Sequence, residues 1–191
     1  MQVKAGGAGA EQVRRAQITE AAIEVIADLG FAGASFAKIV ERAGLSSTRM
    51  ISYHFADKSD LVMAVLTTAI AAADEALDAR VAGVSDRVGL LRAHIEARVE
   101  FLRTHPRHLR AIVEVGTGSR EPLHAAVLAD FRVGRLRRQL IQGQREGAFA
   151  QFDPDLVAEV VASALDGLAR GGDDLADSSA LADFLIRAIR A

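Results

Sequence analysis

Apolar residues recur at helical spacing along most of the chain, and between residues 35 and 58 that periodicity breaks into its shortest pieces. Phe36, Ile39, Val40 and Ala43 fall at i, i+3, i+4 and i+7, one apolar face of a short helix with the Ser35 hydroxyl at its start. Gly44 ends it, because a residue just past a helix commonly takes a positive φ that only glycine adopts without a Cβ clash. Leu45 plugs that turn from the core side, and Ser46 or Ser47 caps a second helix over residues 48–55. There Ile51 and Phe55 face inward, while Thr48, Arg49, Ser52, Tyr53 and His54 stay outside. So short a helix is not stable alone, and the pattern predicts one held by its neighbours and displayed to a partner. Two short helices crossed at a glycine turn, the second carrying donors and acceptors, predict a helix-turn-helix with its second helix in the DNA major groove. Asp57 caps the next helix. Lys58 in its first turn is disfavoured by the macrodipole, which a DNA phosphate held by the ammonium and the free N–H groups explains; a solvated lysine is the plainer alternative.

The flanking segments carry longer stripes. Residues 11–29 place Ile18, Ala22, Val25, Ile26 and Leu29 on one helix face, ending at Gly30. The first ten residues, with Gly6, Gly7 and Gly9, read as a flexible arm. Lys4 there can enter the minor groove or stay solvated, and Arg14 and Arg15 can touch phosphate. A fourth helix over residues 58–82 turns Leu61, Val65, Ala69, Ala72 and Ala76 inward and joins the two halves of the chain, so a tilt at its far end would swing the reader. Gly83 stops it, and Ser85 or Asp86 caps a fifth helix striped by Val88, Leu91, Ile95, Val99 and Leu102. Pro106 opens a sixth to about residue 115, and Pro122 a seventh through 146 that Gly134 and Gly143 weaken. Asp153-Pro154 opens an eighth to residue 170, stopped by Gly171-Gly172, and a ninth covers 179–190.

These elements make an all-α chain of about nine helices: an N-terminal arm and three-helix helix-turn-helix domain over residues 1–58, then a helical effector-binding and dimerisation domain over 59–191. Leu156, Val157, Val160, Val161, Ala164, Leu165 and Leu168 cover more of the eighth helix than one inward face requires, and Gly167 admits a close backbone. Helices eight and nine are therefore the expected homodimer surface, the alternative being that both pack only on their own chain. Half the residues are hydrophobic and only three are proline, which suits helices. Cysteine is absent, excluding disulfides and thiolate metal sites and fitting a cytoplasmic setting. The longest uncharged run, residues 61–73, falls short of the roughly 20 residues that span a bilayer, so no membrane partner is expected. Net charge is −2, split as +1 over residues 1–58 (seven Lys/Arg, six Asp/Glu) and −3 over the rest (sixteen and nineteen), too even to announce a nucleic-acid binder. Placement says more, since Lys4, Arg14, Arg15, Arg49 and Lys58 lie where duplex phosphates would pass.

Catalytic chemistry finds little support, with no G-x-S-x-G, phosphate-binding glycine loop or cysteine nucleophile, so no enzyme and no cofactor is expected. His105 and His108 lack a carboxylate that would complete a metal set. His94 and Arg98, four apart beside the apolar stripe of the fifth helix, with Glu114 facing them, can form a polar patch on a ligand cavity; solvent exposure or helix bridging is the plainer reading. Arg132, Arg135, Arg137, Arg138 and Arg145 read as an ion-paired face.

The run over residues 30–61, G-F-A-G-A-S-F-A-K-I-V-E-R-A-G-L-S-S-T-R-M-I-S-Y-H-F-A-D-K-S-D-L, resembles the N-terminal domain of the TetR family of bacterial transcriptional regulators. The Gly-aromatic helix end, the Ala-Gly-aliphatic-Ser turn, the His-Phe pair and the Lys three residues on are all present. Thr48-Arg49 stands near where the family commonly has Gly or Pro, and the turn-to-aromatic spacing is one residue longer than usual. The match covers the first third of the chain. The resemblance implies a homodimeric, ligand-responsive repressor that binds a palindromic operator in double-stranded DNA and is released by a small-molecule inducer. It places DNA contacts at Ser46, Ser47, Thr48, Arg49, Met50, Ser52, Tyr53, His54 and Lys58. The alternative is a small-molecule-binding or enzymatic helical bundle whose turn motif is incidental.

Overall fold

The computed structural model describes residues 5–170 and 178–190. Among them the regular elements are α1 (Ala5–Gly33), α2 (Phe36–Arg42), α3 (Arg49–His54), α4 (Lys58–Val81), α5 (Arg87–Thr104), α6 (Pro106–Gly118), α7 (Pro122–Ala129), a π-helical segment (Asp130–Gly134), α8 (Arg135–Arg145), α9 (Pro154–Arg170) and α10 (Ser178–Ile189). An isolated antiparallel bridge joins Phe149 and Arg190. The chain forms two compact units, Met1–Ile70 with Arg107–Ala126, and Ala71–Pro106 with Val127–Ala191.

In the first unit α1 packs on α2 and α3, burying Ile18, Ala21, Ala22, Val25 and Ile26. Leu29, expected on that stripe, is instead 48% exposed, because the helix breaks one residue later at Gly30 (φ 76°, ψ 164°) and its last turn leaves the core face. Residues 5–10, expected as a flexible arm, are helical and extend α1 N-terminally although three of the six are glycine. Lys4 and the Gly171-Gly172 stop lie outside the described residues. The helix-turn-helix corner closes as expected at Gly44 (φ 64°). Gly44 N–H donates to Glu41 O at 3.1 Å and Leu45 N–H to Val40 O at 2.9 Å, the paired bonds of a left-handed helix end. Lys38 N–H donates to Ser35 Oγ, so α2 is capped at one end by a hydroxyl and ended at the other by a glycine.

Neither Ser46 nor Ser47 caps α3. Thr48 stands at that position, already helical and with no side-chain capping bond, and Ser46 Oγ lies 3.8 Å from Met50 Sδ. Asp57 does cap α4: Asp60 N–H donates to its carboxylate at 2.8 Å, and Ala56 N–H donates to Asp60 at 3.0 Å. These bonds occupy donors that a DNA phosphate at the start of α4 would otherwise use. The α4 seam begins at Leu61, Val65 and Ala69 as expected, then passes to Ala73 and Leu77, with Ala72 and Ala76 only half-buried. The unit's second stretch of chain is fitted to its first. A Cβ on Gly118 of α6 would sit 2.6 Å from the Phe31 ring, and Glu114 Oε2 would lie 3.1 Å from a Cβ on Gly30. The α6 helix accordingly continues to Gly118, three residues beyond the expected end.

In the second unit α5 is the central rod, touched by α8, α9 and α10. Leu91, Ile95 and Val99 of α5 share one buried cluster with Leu136, Leu140, Phe149, Ala158, Val161, Leu165, Ala182, Leu185, Ile186 and Ile189. Asp86 caps α5 through Gly89 N–H at 2.8 Å. Phe149 lies so close over Gly143 that a Cβ there would approach its ring to 2.1 Å. The helix expected from Pro122 to about residue 146, weakened at Gly134 and Gly143, carries a π turn that ends at Gly134, with the Arg135 N–H bonded back to Asp130 O. Gly134 is held in that turn against the Asp130 carboxylate, which would meet a Cβ at 2.1 Å. The outward arginines pair as expected: Arg132 with Asp166 and Glu159, Arg135 with Asp74, Arg137 with Asp155, and Arg138 with Asp130.

Candidate nucleic-acid interface

Ile51 of α3 is fully buried and Phe55, its C-cap, nearly so; these two anchors leave the rest of the six-residue helix outside. Tyr53 is 76% exposed, and Ser46, Ser47, Thr48, Arg49 and Ser52 are exposed, with Met50 and His54 half-buried. The Arg49 guanidinium has no protein partner among the described residues, leaving its donors open. The Tyr53 ring meets the His54 ring edge-on at 5.0 Å, and His54 Nδ1 is enclosed without a hydrogen-bond partner. Ser47, Arg49, Met50, Tyr53 and His54 line an open cleft of about 660 Å³ with Ala10, Glu11 and Arg14 of α1. The outward face of α3 and the start of α1 thus form one concave, polar surface bearing two arginines.

What holds α3 in this pose is a residue that the sequence pattern assigned elsewhere. Arg15 does not face outward to meet phosphate. Its guanidinium donates to the His54 carbonyl, pairs with Asp60 at 3.0 Å, and lies 4.0 Å over the Phe55 ring. One side chain of α1 thereby ties the last carbonyl of α3, its aromatic anchor and the first turn of α4. The Asp60 carboxyl is held below the usual carboxylate range, first by the Ala56 N–H and then by Arg15. Gln17 adds a second tie, donating to Ala43 O at 2.7 Å where α2 ends. Spacing alone does not tell the two arginines apart, since Ile18 and Ala22 stand at i+3 and i+7 from Arg15 and at i+4 and i+8 from Arg14.

Lys58 is exposed at the start of α4, with its Nζ donating to Ala34 O at 3.2 Å and lying 4.8 Å over the Phe31 ring. That uses one of three ammonium donors. His124 of α7 sits just behind, buried, its ring between Ser119 Oγ at 2.8 Å and the Ser59 hydroxyl and carbonyl at 3.3 and 3.2 Å. His124 was not singled out by the sequence pattern, since an apolar neighbourhood gives no hint of two serine partners so far apart.

The three residues proposed as a ligand patch fall in different places. Glu114 belongs to the first unit, half-buried against Gly30. His94 and Arg98 lie in the second unit, His94 buried with Nδ1 unpartnered and Arg98 half-buried with its guanidinium 3.8 Å over the Phe131 ring. Among the described residues, no group of three His, Cys, Asp or Glu side chains is placed to hold a metal ion.

Residues 18–65, which contain the later part of α1, all of α2 and α3 and the start of α4, match the sequence profile described as bacterial regulatory proteins of the tetR family. That segment is a TetR-family N-terminal domain. The whole chain is 26% identical over 165 residues to the HTH-type transcriptional regulator BetI of Pectobacterium atrosepticum, covering 85% of the chain and 82% of that protein. BetI of Pseudomonas aeruginosa is 35% identical over 92 residues, 48% of the chain and 45% of that protein. In fold it is similar to AibR, solved with isovaleryl coenzyme A and operator DNA (TM-score 0.74, 19% identity, 93% of this chain and 98% of that one). It is likewise similar to a TetR family transcription regulator from Marinobacter aquaeolei (TM-score 0.77, 18% identity, 95% and 98%). The all-α fold with an N-terminal helix-turn-helix and the role of a DNA-binding transcriptional regulator both stand. No helix among the described residues is long and apolar enough to cross a membrane.

Proposed function

We propose that this regulator is a cytoplasmic, non-enzymatic repressor that binds a palindromic operator as a homodimer and leaves it when a small molecule binds the helical second unit. The observation that carries the reading is α3 itself. It is a six-residue helix with Ile51 and its C-cap Phe55 buried, Arg49 without a protein partner among the described residues and a 76% exposed Tyr53 on the outside, and Arg15 fixing its end. Thr48, Arg49, Ser52 and Tyr53 face base edges. Ser46, Ser47, His54 and Lys58 hold phosphates, and Met50 packs at the groove wall. AibR, bound to both an acyl-coenzyme A and operator DNA, is a protein of this fold that joins the same two kinds of partner.

A second copy of the chain covers α9 and α10. Leu156 and Val160 are 62% and 52% exposed on one face of α9, Phe184 on α10 is 70% exposed, and the space beside Gly167 is open. Leu156, Val160, Ser163 and Gly167 follow the i, i+4, i+7, i+11 progression of a single helix stripe that narrows from large residues to none. Two recognition helices related by that two-fold fall roughly 34–36 Å apart, or a multiple of it, on one side of a duplex. The chain passes from one unit to the other inside α4, which begins at Lys58, so an effector that favours a different setting of α4 shifts the operator-competent population. Nuclease footprinting on the DNA upstream of its own gene tests this. The expected result is a protected palindrome whose half-site centres lie one or more helical turns apart; protection of a single half-site, or none, contradicts it.

A further inference from the structure

The interior of the second unit carries an uneven charge account. Arg98, Arg132 and Arg135 lie close enough to influence one another, together with Asp74 and Asp166. Both carboxylates are already engaged, Asp74 by Arg135 through two bonds of 2.7 and 3.0 Å, and Asp166 by Arg132 at 2.7 Å. Arg132 also holds Glu159 at 2.6 Å. Among the described residues Arg98 has neither an ion pair nor a hydrogen bond; its guanidinium rests on the Phe131 ring. Desolvation, opposed by Asp166 and Asp74, lowers its pKa to about 10, so it stays cationic at neutral pH. One turn before it on α5, His94 is 4% exposed with Nδ1 unpartnered, and one turn after Arg135 on α8, Gln139 leaves a buried Oε1 unpartnered. Phe131 and Arg132 both sit in the π turn, where the helix is least regular. Buried polar atoms are nearly always satisfied, and here two on the facing helices α5 and α8 are not, while the half-buried Arg98 guanidinium beside them carries a charge that no carboxylate among the described residues pairs.

We propose that the effector is a small organic acid whose single carboxylate is taken by the Arg98 guanidinium beside His94, with its apolar part against Phe131. This rests on the reading of the chain as an effector-responsive regulator. A guanidinium offers two parallel N–H groups that match a carboxylate's two oxygens, and one spare arginine balances one negative charge. A phosphomonoester, with close to two charges, would leave the second without a partner.

The test uses the full-length protein and three octyl probes of equal chain length: octanoate, octanamide and octyl phosphate. Binding is measured by calorimetry, and release of a fluorescent operator fragment by anisotropy. Octanoate is expected to bind most tightly and to release the operator. Arg98→Gln is expected to weaken octanoate roughly 10- to 100-fold, the worth of hydrogen bonds to a charged group. Arg145→Gln, on the same helix as Gln139, serves as the control and should bind octanoate like the parent. His94→Leu, which keeps the site buried, reports on the site should Arg98→Gln melt early. Octanamide or octyl phosphate binding as well as octanoate, octanoate binding that survives Arg98→Gln, or no binding by any probe overturns the assignment. A protein that binds no operator at all overturns the regulator reading instead, so the two failures are distinguishable.

Discussion

His94 gives a stability prediction whose size follows from its burial. The ring is 4% exposed and its pKa is lowered from 6.5 to about 3, chiefly by desolvation and then by the positive charges of Arg98 and Arg135. In the unfolded chain the same ring takes a proton near its ordinary value. Between those two values the unfolded state binds a proton that the folded state refuses, so stability falls as pH drops from about 6.5 toward 3 and is flat above 6.5. Each pH unit in that window costs about 1.4 kcal/mol, so acidification from about pH 7.5 to about pH 5 removes roughly 2 kcal/mol through this one group. Replacing His94 by Leu deletes the titration without opening a cavity of consequence, and it removes a buried unpartnered nitrogen. Urea unfolding followed by circular dichroism, at both pH values and for both proteins, isolates the effect as a difference of differences. The parent should lose about 2 kcal/mol more than His94→Leu on acidification. Equal losses would mean that His94 is protonated in the folded protein or is reached by water, and the argument from burial would fail.

Arg15→Ala should weaken operator binding while leaving the salt dependence of that binding unchanged. Arg15 holds α3 from behind and touches no phosphate, and its loss should cost about 1–2 kcal/mol of stability once screening of its half-exposed ion pair is allowed for. Gly143→Ala drives a Cβ into the Phe149 ring and should destabilise the second unit by about 1–3 kcal/mol in thermal melts. Leu156→Glu combined with Phe184→Glu should yield a monomer in analytical ultracentrifugation, with helix content retained because both side chains already face outward.

Local rules made much of the fold legible. Ser35, Gly44, Asp57, Asp86, Pro106 and Pro154 each announce a helix end through the backbone groups or φ value they supply, and each stands at such an end. The surplus apolar residues of α9 divide between two faces, Val161 and Leu165 inward and Leu156 and Val160 outward. The misreadings share a cause, which is that the deciding partner lies far along the chain. Arg15 reads as an exposed cation until His54 and Asp60 come within reach, 39 and 45 residues away. The π turn depends on Asp130 gripping Arg138 across Gly134, a competition between side-chain and backbone bonds that periodicity does not record. Glu114 shows the opposite limit. It was read as facing His94 and Arg98, yet the neighbour it finds is the break at Gly30 in α1, because spacing along one helix says nothing of which helix comes to meet it.

The central claim is that the outward face of α3 and the first turn of α4 read DNA, and anisotropy titrations of the footprinted operator at several salt concentrations test it most directly. Lys58→Ala should weaken all sequences alike and reduce the salt slope by about 1, whereas Arg49→Ala should cost about 1–3 kcal/mol on the operator and far less on random DNA. Affinities and slopes that match the parent for both variants would contradict the account.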